Sequence, residues 1–507
     1  MTVLFRADAS AEIGTGHVMR CLALASAANA LGEECVFVCR DIPRLLAERI
    51  TGDGHNLQFL IPTDGDNAAK AAEVPYAHWL KAPWRDDAVE TSEIADEVGA
   101  DWIVVDHYGL DADWEQAVAT ADRNVAAMDD LADRRHAAAL VSDPSLVAKP
   151  HDRYKNLTAP GCQLLLGPRY AALRSEFADP PPRLPAPGGE PMRFLIAFGG
   201  VDAAGMTRVA IEALAAVVEA GDHAHVVVGA VHEGRAAIAG RCAELGWTCH
   251  VNSSRMGPLM AATDLAIGAG GSMVWERMAM GLPTIAVIVA DNQRDQVNEA
   301  ARLSLLVAME QADASVEALQ AQIRSLRGNS GLREKMSASC RRRVDGKGAV
   351  RIARRLAPCP VKLRPATEAD SADLLEWRNH EFIRMVSHNT EMISPEDHAL
   401  WLTGTLNNPA RHLLIGFDND GVLGVVRFDK GPSNAEVSIY LAPQRLGSGL
   451  GPNLLMAGEL AMAEHWPDVP EILAEVLPTN RASRDLFLSC GYRYSSGFFR
   501  KSVGSAS

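Results

Sequence analysis

The sequence predicts an α/β chain in which two successive halves, each a parallel sheet wrapped by helices, are followed by a smaller α+β segment. Three observations predict this. Short apolar strands alternate with amphipathic helices up to about Ala357, two proline-rich breaks divide the chain, and after the second break strands follow one another as a meander would. A length of 507 residues suffices for two or three domains with sizeable cores.

In the first half Val3–Phe5, Cys35–Cys39, Trp102–Asp106 and Val125–Met128 read as strands between helices. Residues 178–191, with six prolines and two glycines, cannot hold a regular helix or a central strand and read as a linker. From Arg193 the pattern repeats, with strands expected at Phe194–Phe198, His225–Gly229, Asp264–Ile267 and Thr284–Val289. The expected boundaries are 1–178 and 192–357, two Rossmann-like halves with a ligand cleft between them at the carboxyl ends of the strands. The second break lies at Pro358–Pro360. In the remaining segment, 361–507, His412–Phe417, Val422–Phe428 and Ala435–Leu441 form an expected antiparallel meander, followed by a glycine-rich turn and the helix Pro452–Glu464.

A net charge of −15 argues against nucleic acid or an anionic membrane as the main partner. Arg341, Arg342, Arg343, Arg351, Arg354 and Arg355 are expected on solvated helix faces. No apolar stretch approaches the roughly 20 residues of a spanning helix, and Arg6 and Asp8 interrupt any signal-peptide core, so the expected compartment is the cytoplasm. Nine scattered cysteines fit a reducing environment. Cys35 and Cys39 share a strand face, and without a second matching pair they read as buried thiols rather than metal ligands.

The chemistry converges on the cleft. Gly14-Thr15-Gly16-His17-Val18-Met19-Arg20 joins the first strand to a helix, where unpaired N–H groups and the dipole attract a diphosphate. The same dipole disfavours an imidazolium, so His17 is expected to be neutral and able to act as a base, although a bound diphosphate pulls the other way. Gly268-Ala269-Gly270-Gly271-Ser272 repeats the strand-to-helix turn, with Glu276 placed to accept hydrogen bonds from two ribose hydroxyls. Gly199-Gly200 and Asp291-Asn292-Gln293 lie at two further strand ends. Asp129, Asp130 and Asp133 read as caps that face water, not as a metal cluster.

Phe5-Arg6-Ala7-Asp8, the Gly14–Arg20 turn, Val105-Asp106-His107-Tyr108-Gly109, Met128-Asp129-Asp130-Leu131, Leu166-Gly167-Pro168-Arg169-Tyr170 and Phe198-Gly199-Gly200-Val201-Asp202 resemble, over roughly residues 1–340, the UDP-sugar hydrolase of pseudaminic acid biosynthesis. The resemblance implies a GT-B fold and attack of water at the anomeric carbon with inversion and loss of UDP. It implies His17 as general base, with Tyr108 and Asn292 positioning sugar or water. It further places Gly14, Gly16, Arg20, Gly200, Gly270, Gly271, Ser272, Glu276, Asn292 and Gln293 around the UDP-sugar, with backbone amides stabilising the diphosphate and no metal.

In the third segment, Gln444-Arg445-Leu446-Gly447-Ser448-Gly449-Leu450-Gly451 between a strand and a helix resembles the acetyl-CoA pyrophosphate loop of the GNAT N-acetyltransferases. Two registers fit: Gln444, Gly447 and Gly449 match Q/R-x-x-G-x-G, whereas aligning Leu454-Leu455 puts Leu446 where Gln or Arg is usual. The resemblance implies acetyl-CoA contacts from Leu441, Arg445, Gly447, Ser448, Gly449, Gly451 and Asn480. Glu436, on the central strand, either relays a proton from the incoming ammonium or merely faces solvent. Phe487 stands where many members have the tyrosine that protonates the leaving thiolate, so water, Ser483 or Tyr492 replaces it, or the step lacks a dedicated acid. Arg364-Pro365-Ala366-Thr367, Glu376-Trp377-Arg378-Asn379 and Ile393–His398 resemble acetyltransferases of the 4-amino group of UDP-aminosugars. Trp377 and Trp401 are expected in the core, Arg378 and His398 on a polar rim.

The expected protein is a UDP-sugar hydrolase fused to an acetyl-CoA-dependent N-acetyltransferase. The alternatives are a glycosyltransferase on the same fold, a GNAT segment that only senses acyl-CoA, and GNAT substrates such as a protein N-terminus or an aminoglycoside.

Overall fold

Residues 1–10, 12–61, 74–178, 180, 191–200, 202–229, 232–253, 255–356, 361–418, 420–447, 450–495 and 497–502 are described in a computed structural model of the chain. Most of the 178–191 break and all of Pro358–Pro360 lie outside the described residues. The chain divides into two compact units, Met1–Ala357 and Pro358–Ser507.

The first sheet begins at β1 (Thr2–Ala7), whose apolar run is buried on both faces, as a central parallel strand must be. It is joined by β2 (Glu34–Cys39), β3 (Asn56–Phe59), β4 (Trp102–Asp106), β5 (Asn124–Met128), β6 (Leu140–Asp143) and β7 (Gln163–Leu166) in the order β3-β2-β1-β4-β5-β6-β7. All pairs are parallel. The second sheet consists of β8 (Arg193–Ala197), β9 (His223–Val228), β10 (Thr248–Val251), β11 (Leu265–Ala269), β12 (Thr284–Ile288) and β13 (Val307–Glu310), also parallel, in the order β10-β9-β8-β11-β12-β13. Strand order therefore reverses between β1 and β4 and between β8 and β11, where open α/β sheets form ligand crevices.

The halves exchange segments. Ala171, Leu173 and Phe177 pack into the core of the second half, while Ile352, Ala353 and Leu356 of the helix Gly348–Leu356 join Val18, Leu22 and Ala25 in the core of the first. A Cβ on Gly348 would stand 2.1 Å from the Ala171 carbonyl oxygen, so only glycine fits at that crossing. Arg351 was expected on a solvated face and is instead largely buried: Nη1 donates to the Arg169 carbonyl at 2.8 Å and the guanidinium pairs with Asp345. Cys35 and Cys39 lie in the apolar core of the first half, where burial pushes their thiols up, Cys35 to about 12.

The second unit has β14 (Lys362–Pro365), β15 (Arg411–Asp418), β16 (Gly421–Lys430), β17 (Ala435–Leu441), β18 (Glu471–Ala474), β19 (Arg493–Ser495) and β20 (Phe498–Ser502), in the order β14-β15-β16-β17-β18-β20-β19. The sheet is antiparallel except for β17 and β18, which pair in parallel only at Ala435–Ile472 and Glu436–Leu473. The helix Gly451–His465 lies on this sheet through Leu454, Leu455 and Met462. Gly416 and Gly424 leave room for Leu454, and Gly458 lets the helix approach Val426. Trp377 is buried and Trp401 half-buried in a second apolar cluster. His398 is not a rim residue: it is 1% exposed, with its ring 5.4 Å from that of Trp401.

Candidate active site

Gly14 adopts φ +79°, a left-handed conformation that turns the chain into the helix Gly16–Asn29. Neither a side-chain cap nor an acidic residue occupies the first turn, so its N–H groups stay available to an anion. His17 is the second helical residue, and its Nδ1 lies 2.5 Å from Oδ1 of Asp106, the last residue of β4. One turn on, Arg20 grips the same carboxylate through Nε and, at 2.7 Å, through Nη2; its Nη1 reaches Oδ2 of Asp130 at 2.8 Å. The Tyr108 hydroxyl donates to the other Asp130 oxygen at 2.5 Å, and its ring meets the imidazole edge-on at 4.5 Å.

Asp106 is fully buried. Burial alone raises a carboxyl, but Arg20 and His17 outweigh it and hold Asp106 at about 2. A carboxylate can only accept, so it faces the Nδ1 proton of His17, and a neutral ring held this way carries its lone pair on Nε2. The imidazole side chain keeps 7% exposure.

The second half presents its own glycine turn. A Cβ on Gly268 would stand 2.2 Å from the Ala197 carbonyl oxygen, and one on Gly270 would strike Val297 and approach Gln293. Gln296 Nε2 donates to the Gly270 carbonyl at 2.9 Å and holds this loop, while Gln293 Oε1 accepts from Val289 N at 3.2 Å at the end of the next strand. Gly271 and Ser272 continue the turn, and a methyl group built on Gly16 would lie 3.8 Å from Ser272 Oγ: the two glycine turns face each other. Glu276 stands 3.5 Å from Arg174; burial raises its pKa against the pull of that arginine. Gly200 packs against Gly229, and Asn292 lies exposed in the short turn Asp291–Gln293.

His17, Arg20 and Tyr108 are thus brought together in the first half, and Gly270, Gly271 and Gln293 in the second. Sequence reasoning missed Asp106 and Asp130, although both lie in motifs at strand ends. It also misplaced Asp129, which caps Leu131 N and Ala132 N but is fully buried, accepting from Arg134 Nη1 at 2.9 Å and the Tyr154 hydroxyl at 2.7 Å. Asp133 is exposed and pairs with Arg134.

Two buried histidines flank this site and titrate in opposite senses. Burial lowers His136, but the Asp129 and Glu115 carboxylates on either side of the ring outweigh it and raise the group from 6.5 to about 9, so its contribution, about 3 kcal/mol, is complete below pH 6.5 and lost as pH rises through 9. Burial pushes His107 down to about 4, so its contribution is complete above pH 6.5 and lost as pH falls towards 4. The first unit is expected to be most resistant to denaturant near pH 6.5. Midpoints measured from pH 4 to 9 should fall on both sides, and His136→Gln should flatten the alkaline limb.

In the second unit β17 and β18 part after Glu436, which is exposed at the start of the gap. The chain passes half-buried Leu441 and the turn Pro443–Arg445 to Gly447, with φ +80°, and then into the helix opened by Gly451-Pro452. The Arg445 guanidinium is bonded to Asp418. Ser448 and Gly449 lie outside the described residues. Asn480 Oδ1 accepts from Ser483 N at 3.0 Å and caps the helix Arg481–Ser489. Tyr492 is buried in the core with its ring 4.9 Å from Phe487.

Residues 243–355 match the glycosyltransferase family 28 C-terminal domain, and residues 361–493 match the acetyltransferase (GNAT) domain. The chain therefore joins a GT-B-like pair of Rossmann-like halves, carrying a family 28-type C-terminal domain, to a GNAT acetyltransferase domain with a mixed sheet. No curated protein matches the sequence. Similar solved structures include MurG of Acinetobacter baumannii, at 15% identity and TM-score 0.48 over 70% of this chain and 99% of that one. A glycosyltransferase from Rickettsia africae follows at 14% identity and TM-score 0.46, covering 70% and 98%. Spermidine N-acetyltransferase from Vibrio cholerae, in complex with CoA and spermine, has 15% identity and TM-score 0.26, covering 29% and 98%. Among the described residues no helix is long and apolar enough to cross a membrane, and no group of three or more His, Cys, Asp or Glu is arranged to hold a metal ion.

Proposed function

We propose that the first unit hydrolyses UDP-2,4-diacetamido-2,4,6-trideoxy-β-L-altropyranose to free sugar and UDP with inversion, and that the second N-acetylates the 4-amino group of the precursor UDP-aminosugar with acetyl-CoA. This assigns the chain to pseudaminic (nonulosonic) acid biosynthesis in the cytoplasm. The observation that carries the reading is the His17–Asp106 pair at an uncapped helix start opposite a second glycine turn.

In this reading water attacks the anomeric carbon and gives a proton to His17 Nε2. The bond from that carbon to the diphosphate oxygen breaks, and its electron pair leaves with UDP. Asp106 stabilises the imidazolium formed, while backbone amides at Gly16, Gly200 and Gly271 and the charge of Arg20 receive the diphosphate; the Gly14 and Gly270 amides donate to the Ser10 and Val287 carbonyls and shape the two turns. Glu276 takes the ribose hydroxyls, Ser272 and Gln293 line the nucleotide, and Tyr108 and Asn292 position sugar or water. In the second unit the sugar amine attacks the thioester carbonyl, Glu436 relays the amine proton, and thiolate leaves. Leu441, Arg445, Gly447, Ser448, Gly449, Gly451 and Asn480 hold acetyl-CoA.

The family 28 match favours one second reading, transfer of the sugar to an acceptor. The two separate in one incubation with the UDP-linked 4-amino sugar, with and without acetyl-CoA, following UDP and sugar mass. Hydrolysis gives acetylation and then UDP release without any acceptor; UDP release only on addition of an acceptor contradicts it.

A further inference from the structure

Three aromatic rings stand together, and one of them, Tyr108, meets the His17 imidazole. Trp79 lies near-parallel to Tyr108 with centroids 5.7 Å apart and an interplanar angle of 26°, and Tyr76 touches Trp79 at 4.6 Å and Tyr108 at 5.4 Å. Ala77 and Leu80 anchor this turn in the protein interior, whereas Tyr76 and Trp79 are only half-buried. The indole is held from the catalytic side: Trp79 Nε1 donates to Glu12 Oε1 at 3.0 Å, and Glu12 belongs to the turn that leads into the His17 helix. His78 Nε2 lies 3.0 Å from the same oxygen. Two half-exposed rings held against Tyr108, the buried ring that meets the His17 imidazole, are a surface for a ligand to cover.

We propose that Tyr76 and Trp79, with Tyr108, form the wall against which the sugar ring stacks, and that they select a sugar whose facing side carries C–H and methyl groups in place of hydroxyls. The inference rests on the nucleotide-sugar reading and names the residues that set its sugar specificity. A hydroxyl turned to these rings gives up water without gaining a hydrogen-bond partner, whereas a methyl group gains contact. Glu12 is a positioning residue that fixes the indole plane.

The test uses the full chain, UDP as competitor, and a UDP-linked 6-deoxyhexosamine beside its 6-hydroxy counterpart. Trp79→Ala is expected to raise KM for the deoxy substrate about tenfold or more and to erase the preference for it, with UDP inhibition unchanged because the indole is not among the groups that hold the nucleotide. Trp79→Phe, which keeps a ring, restores most of the KM. Should Trp79→Ala also lose UDP inhibition through misfolding, Tyr76→Leu, which keeps bulk without the ring, is measured in its place and decides by the same readouts. Wild-type KM and selectivity in that variant and in Trp79→Ala overturn the wall while leaving hydrolysis intact. A wild-type chain that turns over no UDP-sugar overturns the nucleotide-sugar reading itself.

Discussion

His17→Ala is expected to lower the rate of UDP release by about 10²–10⁴-fold while acetyl transfer by the same chain continues at its normal rate. The loss follows from removing the base that a buried carboxylate orients at the glycine turn, and each tenfold is worth about 1.4 kcal/mol of barrier. Folding should change little, because the ring meets Tyr108 edge-on and makes polar contacts with Asp106 and Arg20, which bond to each other without it. Coupled assay of UDP, beside CoA release, checks both halves of the expectation.

Asp106→Asn is expected to cost about as much activity and considerably more stability. An amide in place of the carboxylate turns its NH₂ towards either Arg20 or His17; against the imidazole it selects the tautomer with the proton on Nε2, and a comparable change lowers turnover by about 10⁴-fold in the serine-protease triad. Arg20, whose side chain is 13% exposed, keeps Asp130 as a partner but loses the carboxylate that holds it on two nitrogens. Breaking a buried pair in this way costs about 3–5 kcal/mol, with the surviving Asp130 contact favouring the lower end. The acid limb changes too. With its carboxyl held at about 2, below the ordinary 3.8, Asp106 contributes about 2 kcal/mol that is complete above pH 3.8 and lost as pH falls through 2. The variant lacks that limb. In a double-mutant cycle, Asp106→Asn should add almost nothing to the rate loss of His17→Ala, because the two residues act as a unit.

The strands that position the site were legible because they are buried on both faces and read as unbroken apolar runs; β1, β4, β11 and β12 fall where their sequences place them. The edge strands were not. Asn56–Phe59 and Thr248–Val251 are half-exposed tetrapeptides without alternation or length, and only their neighbours make them strands. The exchange of Gly348–Leu356 into the first half was equally hidden, since its apolar face fits either core. In the site, His17 was readable from the glycines around it, but its partner lies 89 residues away and no spacing rule links them. Asp129 and Asp130 show a further limit. As consecutive residues they point apart, one into the Arg134–Tyr154 network and the other to Arg20 and Tyr108. Tyr76 and Trp79 carry no motif, and only the fold sets them against Tyr108, the ring that meets the imidazole.

The central claim is that a water molecule, deprotonated by His17, displaces UDP at the anomeric carbon. Hydrolysis in ¹⁸O-labelled water, with the sugar and UDP weighed separately and the first-formed anomer read by NMR, tests it most directly. The account predicts label on the anomeric oxygen of the sugar, none in UDP, and an inverted centre. Label in UDP, or retention at that carbon, would contradict it.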